Sequence, residues 1–151
     1  MALAAALLLA LPGCGSGSDG DSTDSVHWIS KAEFVKKGNA ICDKGTKKML
    51  ELDTQAWKKY GRGNQRPSEA VMNKVALSML PVREKELRLL RELGRPRGSG
   101  YYVDRMFAAW EEGIEKGRKE PSSLRAGSTE YAFYKTYSMG IDYGLTKCWL
   151  D

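Results

Sequence analysis

Few side chains in this chain could perform chemistry. The 151 residues include three cysteines, Cys14, Cys42 and Cys148, and a single histidine, His27. A serine or cysteine nucleophile needs a neighbouring base, usually histidine, and we expect His27 to lie outside the packed part of the chain. The sequence also contains no Gly-rich phosphate-binding motif. These residue types therefore predict neither nucleophilic catalysis nor a bound cofactor.

Carboxylates are the other candidates for acid–base chemistry. Glu111, Glu112 and Glu115 lie close together in the sequence, and two carboxylates that converge in a cleft can act as general acid and base. Carboxylates clustered on one helix normally face solvent, so the sequence favours a protein that is not an enzyme. An enzyme that uses carboxylates in a cleft between helices is the alternative.

The first cysteine follows an apolar segment. Residues 2–11 are apolar throughout, a run too short to cross a bilayer, which takes about 20 helical residues, but of the right length for a signal-peptide core. The Leu-Pro-Gly-Cys sequence at residues 11–14 resembles the lipobox of bacterial lipoproteins. The resemblance implies a signal peptide at residues 1–13 and a diacylglyceryl anchor, carrying acyl chains such as palmitate, on Cys14.

The residues on either side of this motif bear on the same interpretation. The first five residues carry no Lys or Arg, whereas a signal peptide opens with positive charge, so we expect the true translation start to lie upstream. Residues 15–25 are only Gly, Ser, Asp and Thr, a composition typical of a flexible tether. The sequence predicts a lipidated tether at residues 14–29 and one domain at residues 30–151. The alternative is an ordinary apolar N-terminus with a coincidental cysteine.

Lipidation of Cys14 would leave Cys42 and Cys148 as a pair. In an exported protein such a pair predicts a disulfide. A metal site is the alternative, but the sequence has no CxxC spacing and only one histidine to contribute.

Hydrophobic periodicity predicts the elements that position these cysteines. Ser30 begins a first helix with a capping-box pattern, and apolar residues at three-and-four spacing continue to Tyr60, before a breaker-rich loop. A second helix starts after Ser68 and stops at Gly94. Pro81 inside it predicts a kink or a division into two helices.

Two further helices complete the predicted architecture. The third presents Phe107 and Trp110 on its apolar face and ends at Gly117, and the last is capped by Ser128 and extends to Cys148. No segment alternates at period two for long enough to form a sheet. The sequence therefore predicts an all-α bundle of four or five helices, with a disulfide that joins the first and last helices.

Short segments around the two internal cysteines carry a second resemblance. They are similar to the paired cysteine segments of small envelope lipoproteins from high-GC Gram-positive bacteria, through Phe34, Asn39, Ile41 and Cys42 near the start and Tyr143, Gly144, Leu145 and Cys148 near the end. The resemblance implies the Cys42–Cys148 disulfide and an anchored position on the extracytoplasmic face of the cell membrane. It implies no activity.

Positive charge suggests the class of partner. The chain has 24 basic and 19 acidic residues, a net charge of +5, and three of the aspartates lie in the predicted tether. The domain is therefore more basic than the whole chain, which favours binding to anionic lipid or wall polymer. Nucleic acid is not expected for an exported protein. The alternative is ordinary solvated helix faces with i to i+4 pairs, involving Lys36, Lys37, Lys47, Lys48, Arg83, Lys85, Arg88 and Arg91.

Aromatic residues crowd the third and last predicted helices. Trp110, Tyr131 and Tyr134 could line a ligand cleft between these helices, and core packing is the alternative. The sequence thus predicts a lipid-anchored extracytoplasmic protein that works as a binding or interaction module, for a ligand that it does not identify.

Overall fold

The described part of the chain is an all-α bundle of four helices, as predicted. The computed structural model describes residues 27–62, 65–125 and 130–149. The predicted signal peptide, Cys14, most of the tether and Ser128 lie outside these residues. The elements, in chain order, are β1 (Trp28–Ile29), α1 (Lys31–Tyr60), α2 (Glu69–Glu92), β2 (Arg95–Pro96), α3 (Gly100–Lys119), a 3₁₀ helix (Pro121–Leu124) and α4 (Tyr134–Tyr143).

Helix α1 begins where the capping pattern predicts. The Glu33 backbone N–H donates to the Ser30 side-chain oxygen over 3.1 Å, which satisfies one of the amides that a helix start leaves without a partner. The 30 residues of α1 span about 45 Å at 1.5 Å per residue. Their buried stripe includes Phe34, Cys42 and Met49, and this stripe packs against α2.

Helix α2 continues through Pro81 without interruption, so of the two alternatives for Pro81 the division into two helices is excluded. A proline in a helix interior costs about 3 kcal/mol. Pro81 itself is exposed, whereas Leu80, Leu87 and Leu90 on the same helix are buried. Because a break would separate these core residues, burial of the apolar face offsets the cost of the proline.

Helix α4 is shorter than predicted, since it covers only ten residues and ends at Tyr143. Gly144 follows with φ 105°, in the left-handed region, and its N–H bonds to the carbonyls of Gly140 and Ile141. This is the usual way in which glycine ends a helix. The chain beyond it forms a non-helical terminal segment, residues 144–149, with Leu145 fully buried.

The terminal segment is attached to α1 by polar contacts and by a covalent bond. The Asn39 amide donates to the Gly144 carbonyl over 2.8 Å, and its oxygen accepts from the Lys147 N–H over 2.9 Å. Cys42 and Cys148 form a disulfide, and neither has exposed surface. The predicted disulfide is confirmed, although Cys148 lies beyond the end of α4 rather than on it.

A short parallel strand pair closes the end of the bundle at which the described chain begins. The Arg95 N–H donates to the His27 carbonyl over 2.7 Å, and the Arg97 N–H donates to the Ile29 carbonyl over 3.0 Å. Ile29 is buried in the core, because successive strand residues point to opposite faces. The packed region therefore includes Ile29, which the sequence assigned to the tether.

The strand pair also establishes the direction of the first two helices. It places the start of α1 beside the end of α2, so the two helices are antiparallel and the turn between them lies at the opposite end of the bundle. Helix α3 packs against both α2 and α4. Within the described ranges, no helix is both long enough and apolar enough to cross a membrane.

Candidate functional site

The three residues predicted to line an aromatic cleft do not face a common space. Trp110 has no exposed surface, and its ring centroid lies 5.3 Å from that of Trp149. Tyr134 is 70% exposed. Tyr131, which is half-buried, lines a small cavity, whereas Tyr134 lines a separate open depression of about 440 Å³ with Tyr102 of α3. Core packing therefore accounts for Trp110, and the three side chains do not line one shared cleft.

The cavity beside Tyr131 is small and partly polar. Its volume is about 40 Å³, and it is lined by residues of α1, α2, the 3₁₀ helix and the segment before α4: Met49, Ala76, Met79, Leu80, Arg83, Leu124, Tyr131 and Phe133. Ligand pockets usually measure about 300–1,000 Å³, whereas a water needs only about 10–15 Å³. The cavity has room for water and not for a metabolite.

Arg83, on one wall of this cavity, forms a buried ion pair with Glu86. The Arg83 Nη1 and Glu86 Oε2 atoms are 3.0 Å apart, and the two residues are 4% and 2% exposed. The prediction that Arg83 lies on a solvated helix face is therefore wrong. The correction has a physical reason, since α2 presents this face to the terminal segment and not to water.

The Arg83 guanidinium links α2 to the terminal segment. Nη1 also donates to the Cys148 carbonyl. The guanidinium carbon lies 5.1 Å from the ring centroid of Trp149 and 5.6 Å from that of Phe133, distances at which a cation is attracted to an aromatic face. Arg83 thus acts as a polar anchor for the disulfide-bearing segment.

Glu86 is a carboxyl group with a perturbed proton affinity. Burial raises its pKa from 4.5 to about 7, and the Arg83 charge only partly opposes the effect. The second oxygen, Oε1, has no hydrogen-bond partner among the described residues. Glu86 also fills the space beside Gly45, where an added Cβ would lie 1.9 Å from Oε1. The group can bind a proton near neutral pH, but a substrate has no access to it.

Burial affects Tyr131 in the same sense. It raises the pKa of the Tyr131 hydroxyl, against the opposing effect of the Arg83 charge. The hydroxyl therefore remains protonated at neutral pH, since its ordinary value is near 10. In this form Tyr131 is not suited to act as a general base.

Each of the three clustered glutamates on α3 forms an ion pair with a different cation. Glu111 pairs with Arg91 of α2 over 2.7 Å, and Glu112 pairs with Lys135 over 3.0 Å. Glu115 pairs with Arg118 on its own helix. The hydrogen bond from Arg91 lowers the pKa of Glu111. Carboxylates held in the charged form by exposed ion pairs are poor proton donors at neutral pH.

The lysines predicted to form a basic surface on α1 are mostly neutralised. Lys37 pairs with Glu33, Lys47 with Asp43 and Lys48 with Glu51. Of the four lysines named for α1, only Lys36 has no ion pair within the described part of the chain. This arrangement agrees with the alternative of solvated helix faces.

A more strongly basic segment lies at the turn between α1 and α2, and the sequence analysis overlooked it. Residues 57–74 contain five basic residues and one acidic residue, Glu69, so they hold +4 of the chain's net charge of +5. Glu69 is itself paired with Arg125 over 3.4 Å. The concentration of Lys and Arg between two predicted helices was a visible signal in the sequence.

Exposed aromatic residues and cations also meet at the end where the described chain begins. Trp28 is 45% exposed and Tyr101 is 73% exposed. The Arg97 guanidinium lies 5.8 Å from the Trp28 ring centroid, and the Arg105 guanidinium lies 5.9 Å from that of Tyr101. We call these four residues the entry surface, because the predicted tether joins the domain here.

Neither similarity to known proteins nor a cluster of metal ligands identifies a function for these surfaces. Comparison of the chain with protein-family models, curated proteins and solved structures finds no match. Among the described residues, no group of three or more His, Cys, Asp or Glu side chains is placed to hold a metal ion.

Proposed function

We propose that this chain is an exported lipoprotein, anchored through Cys14 to the outer face of the cell membrane, whose helical domain serves as a binding or interaction module. The Cys42–Cys148 disulfide is the observation that carries the proposal. Disulfides form and persist in oxidising compartments and are rare in the cytosol. A buried structural disulfide therefore supports export, and export is what the apolar run before Cys14 would achieve.

The side chains favour binding over catalysis. The exposed glutamates on α3 are each paired with a cation, and the one carboxyl with a strongly raised pKa, Glu86, is sealed in the core. Acid–base catalysis needs a group with a suitable pKa within hydrogen-bond reach of a substrate. Among the described residues, Glu86 has the raised pKa but is inaccessible to a substrate. The glutamates on α3 are accessible but are held by ion pairs.

The entry surface supports a position close to the membrane. Trp and Tyr rings are enriched where protein meets the bilayer interface, and Lys and Arg near an anionic membrane surface are each worth about 1 kcal/mol. Trp28 and Tyr101 with their neighbouring arginines combine both features at the point where the tether enters. An anchor on Cys14 would hold this end of the domain nearest the bilayer.

Metabolic labelling tests the anchor. The full chain, produced in a bacterium with a lipoprotein pathway and fed an alkyne analogue of palmitate, is expected to incorporate the label. Cys14→Ser should abolish incorporation and leave the precursor uncleaved. Cys42→Ser is the matched control, because it also removes one thiol but should retain the label. Equal labelling of wild type and Cys14→Ser would overturn the proposal.

A further inference from the structure

The turn between α1 and α2 carries a concentrated positive charge without counter-ions. Five exposed residues, which we call the turn patch, supply it: Lys58, Lys59, Arg62, Arg66 and Lys74. None of them forms an ion pair with any residue in the ranges 27–62, 65–125 and 130–149. Elsewhere on the domain, pairing with carboxylates neutralises cations such as Lys47 and Arg91. Unpaired cations in one place retain their attraction for an external anion.

Aromatic surface accompanies these charges. Tyr60 is 45% exposed and Trp57 is 36% exposed, and the Lys59 ammonium lies 5.2 Å from the Tyr60 ring centroid. Tyr60 and Lys74 also line one shallow depression of about 250 Å³, together with Val71, Val75 and Ser78. The turn patch is therefore an open surface that offers both cations and apolar ring faces, and not a closed pocket for one small anion.

The position of the turn patch argues against the protein's own membrane as its partner. The patch lies about one α1 length, roughly 45 Å, from the point where the tether enters. The segment between Cys14 and His27 has 13 residue steps, which can span at most about 45 Å. Pointing the patch at the bilayer would require an almost fully stretched tether.

We propose that the turn patch binds a phosphodiester polyanion of the cell envelope, outside the membrane. The inference rests on the proposed function, because it needs the domain to be exported and anchored. Lys and Arg are the usual phosphate-binding side chains. Cations spread over two helix ends match charges repeated along a polymer, and the exposed rings of Trp57 and Tyr60 can pack against the uncharged part of each repeat.

Binding to a defined polymer tests the inference apart from lipidation. The probe is immobilised poly(glycerol phosphate), and the protein is the full chain carrying Cys14→Ser, so that neither export nor the anchor affects the result. This chain, with the turn patch unchanged, should bind at low salt and be released as the salt concentration rises. Reversal of Lys58, Lys59, Arg62 and Arg66 to Glu should weaken binding at least about tenfold.

The matched control reverses the same number of charges, all of them on α1. In this variant Lys36, Lys37, Lys47 and Lys48 are changed to Glu, and binding should fall by less than about threefold. Equal losses in the two variants would show that net charge alone drives binding, and would overturn the inference. The inference would also be overturned if the turn-patch variant bound as well as the Cys14→Ser reference chain, or if the reference chain did not bind.

Vesicles of phosphatidylglycerol separate the two sources of phosphate. If reversal of the turn patch abolishes vesicle binding but leaves polymer binding intact, a lipid surface is the partner and the polymer is excluded. If the turn-patch variant loses polymer binding but still binds the vesicles, the inference is supported. Circular dichroism and thermal unfolding of both variants show whether the fold is intact, which is expected because all the substituted side chains are solvent-exposed.

Discussion

Glu86 is expected to make the domain less stable as the pH rises from acid to neutral. Burial raises the pKa of Glu86 from 4.5 to about 7. Between these pH values the folded protein binds more protons than the unfolded chain, so the free energy of unfolding falls with rising pH. The stabilising effect is complete below pH 4.5 and is lost as the pH passes through about 7.

The size of this effect follows from the difference in pKa. One pKa unit corresponds to about 1.4 kcal/mol, so the change from 4.5 to about 7 corresponds to about 3 kcal/mol. That is a large part of the stability of an ordinary domain, about 5–15 kcal/mol. The lowered pKa of Glu111 acts in the opposite sense. Its stabilisation is lost as the pH falls through the acid range, so the measurement is confined to pH values above 4.5.

Urea unfolding as a function of pH, with the disulfide intact, measures the prediction. Wild type should lose stability between pH 5 and about 7.5, and Glu86→Gln should show little dependence on pH in the same range. Glu84→Gln is the matched control, because Glu84 lies on the same helix and pairs with Arg118 at the surface. It should keep the wild-type dependence. A wild-type stability that rises with pH, or a slope that survives in Glu86→Gln, would refute the reasoning.

Three further predictions address the disulfide, the core and the entry surface. Cys42→Ser should lower the free energy of unfolding by about 4–5 kcal/mol, because the disulfide closes a span of 106 residues, and an unchanged urea midpoint would contradict it. Gly45→Ala should destabilise the domain by about 1–3 kcal/mol despite the better helix propensity of alanine, since the methyl group would collide with Glu86; calorimetry checks the sign. In the lipidated protein, brominated lipid should quench the fluorescence of Trp28. Trp28→Phe should therefore remove the quenching, whereas Trp57→Phe should retain it. The reverse pattern would place the other end of the domain at the membrane.

The sequence anticipated the covalent link but not its polar support. The two cysteines that remain if Cys14 is lipidated were enough to predict the Cys42–Cys148 pair. Arg83 and Glu86 stand three positions apart on a helix, which is also the spacing of ordinary exposed ion pairs. Their burial depends on where the terminal segment packs against α2, and nothing in their local sequence records that contact. The turn patch differs, because a count of charges between two predicted helices would have located it.

Helices with local sequence signals could be predicted without the structure. The capping pattern at Ser30, the apolar periodicity of α1 to α3 and the breaker-rich loop after Tyr60 depend on residues within a few positions of one another, and the structure confirms these helices. Tertiary contacts decided the rest. Helix α4 ends at Tyr143, because the terminal segment after it is stabilised by contacts with distant residues: the Asn39 amide, the Arg83 guanidinium and the Cys42 sulfur. Hydrophobic periodicity describes one helix at a time. It therefore could not predict the terminal segment, whose structure depends on contacts with both α1 and α2.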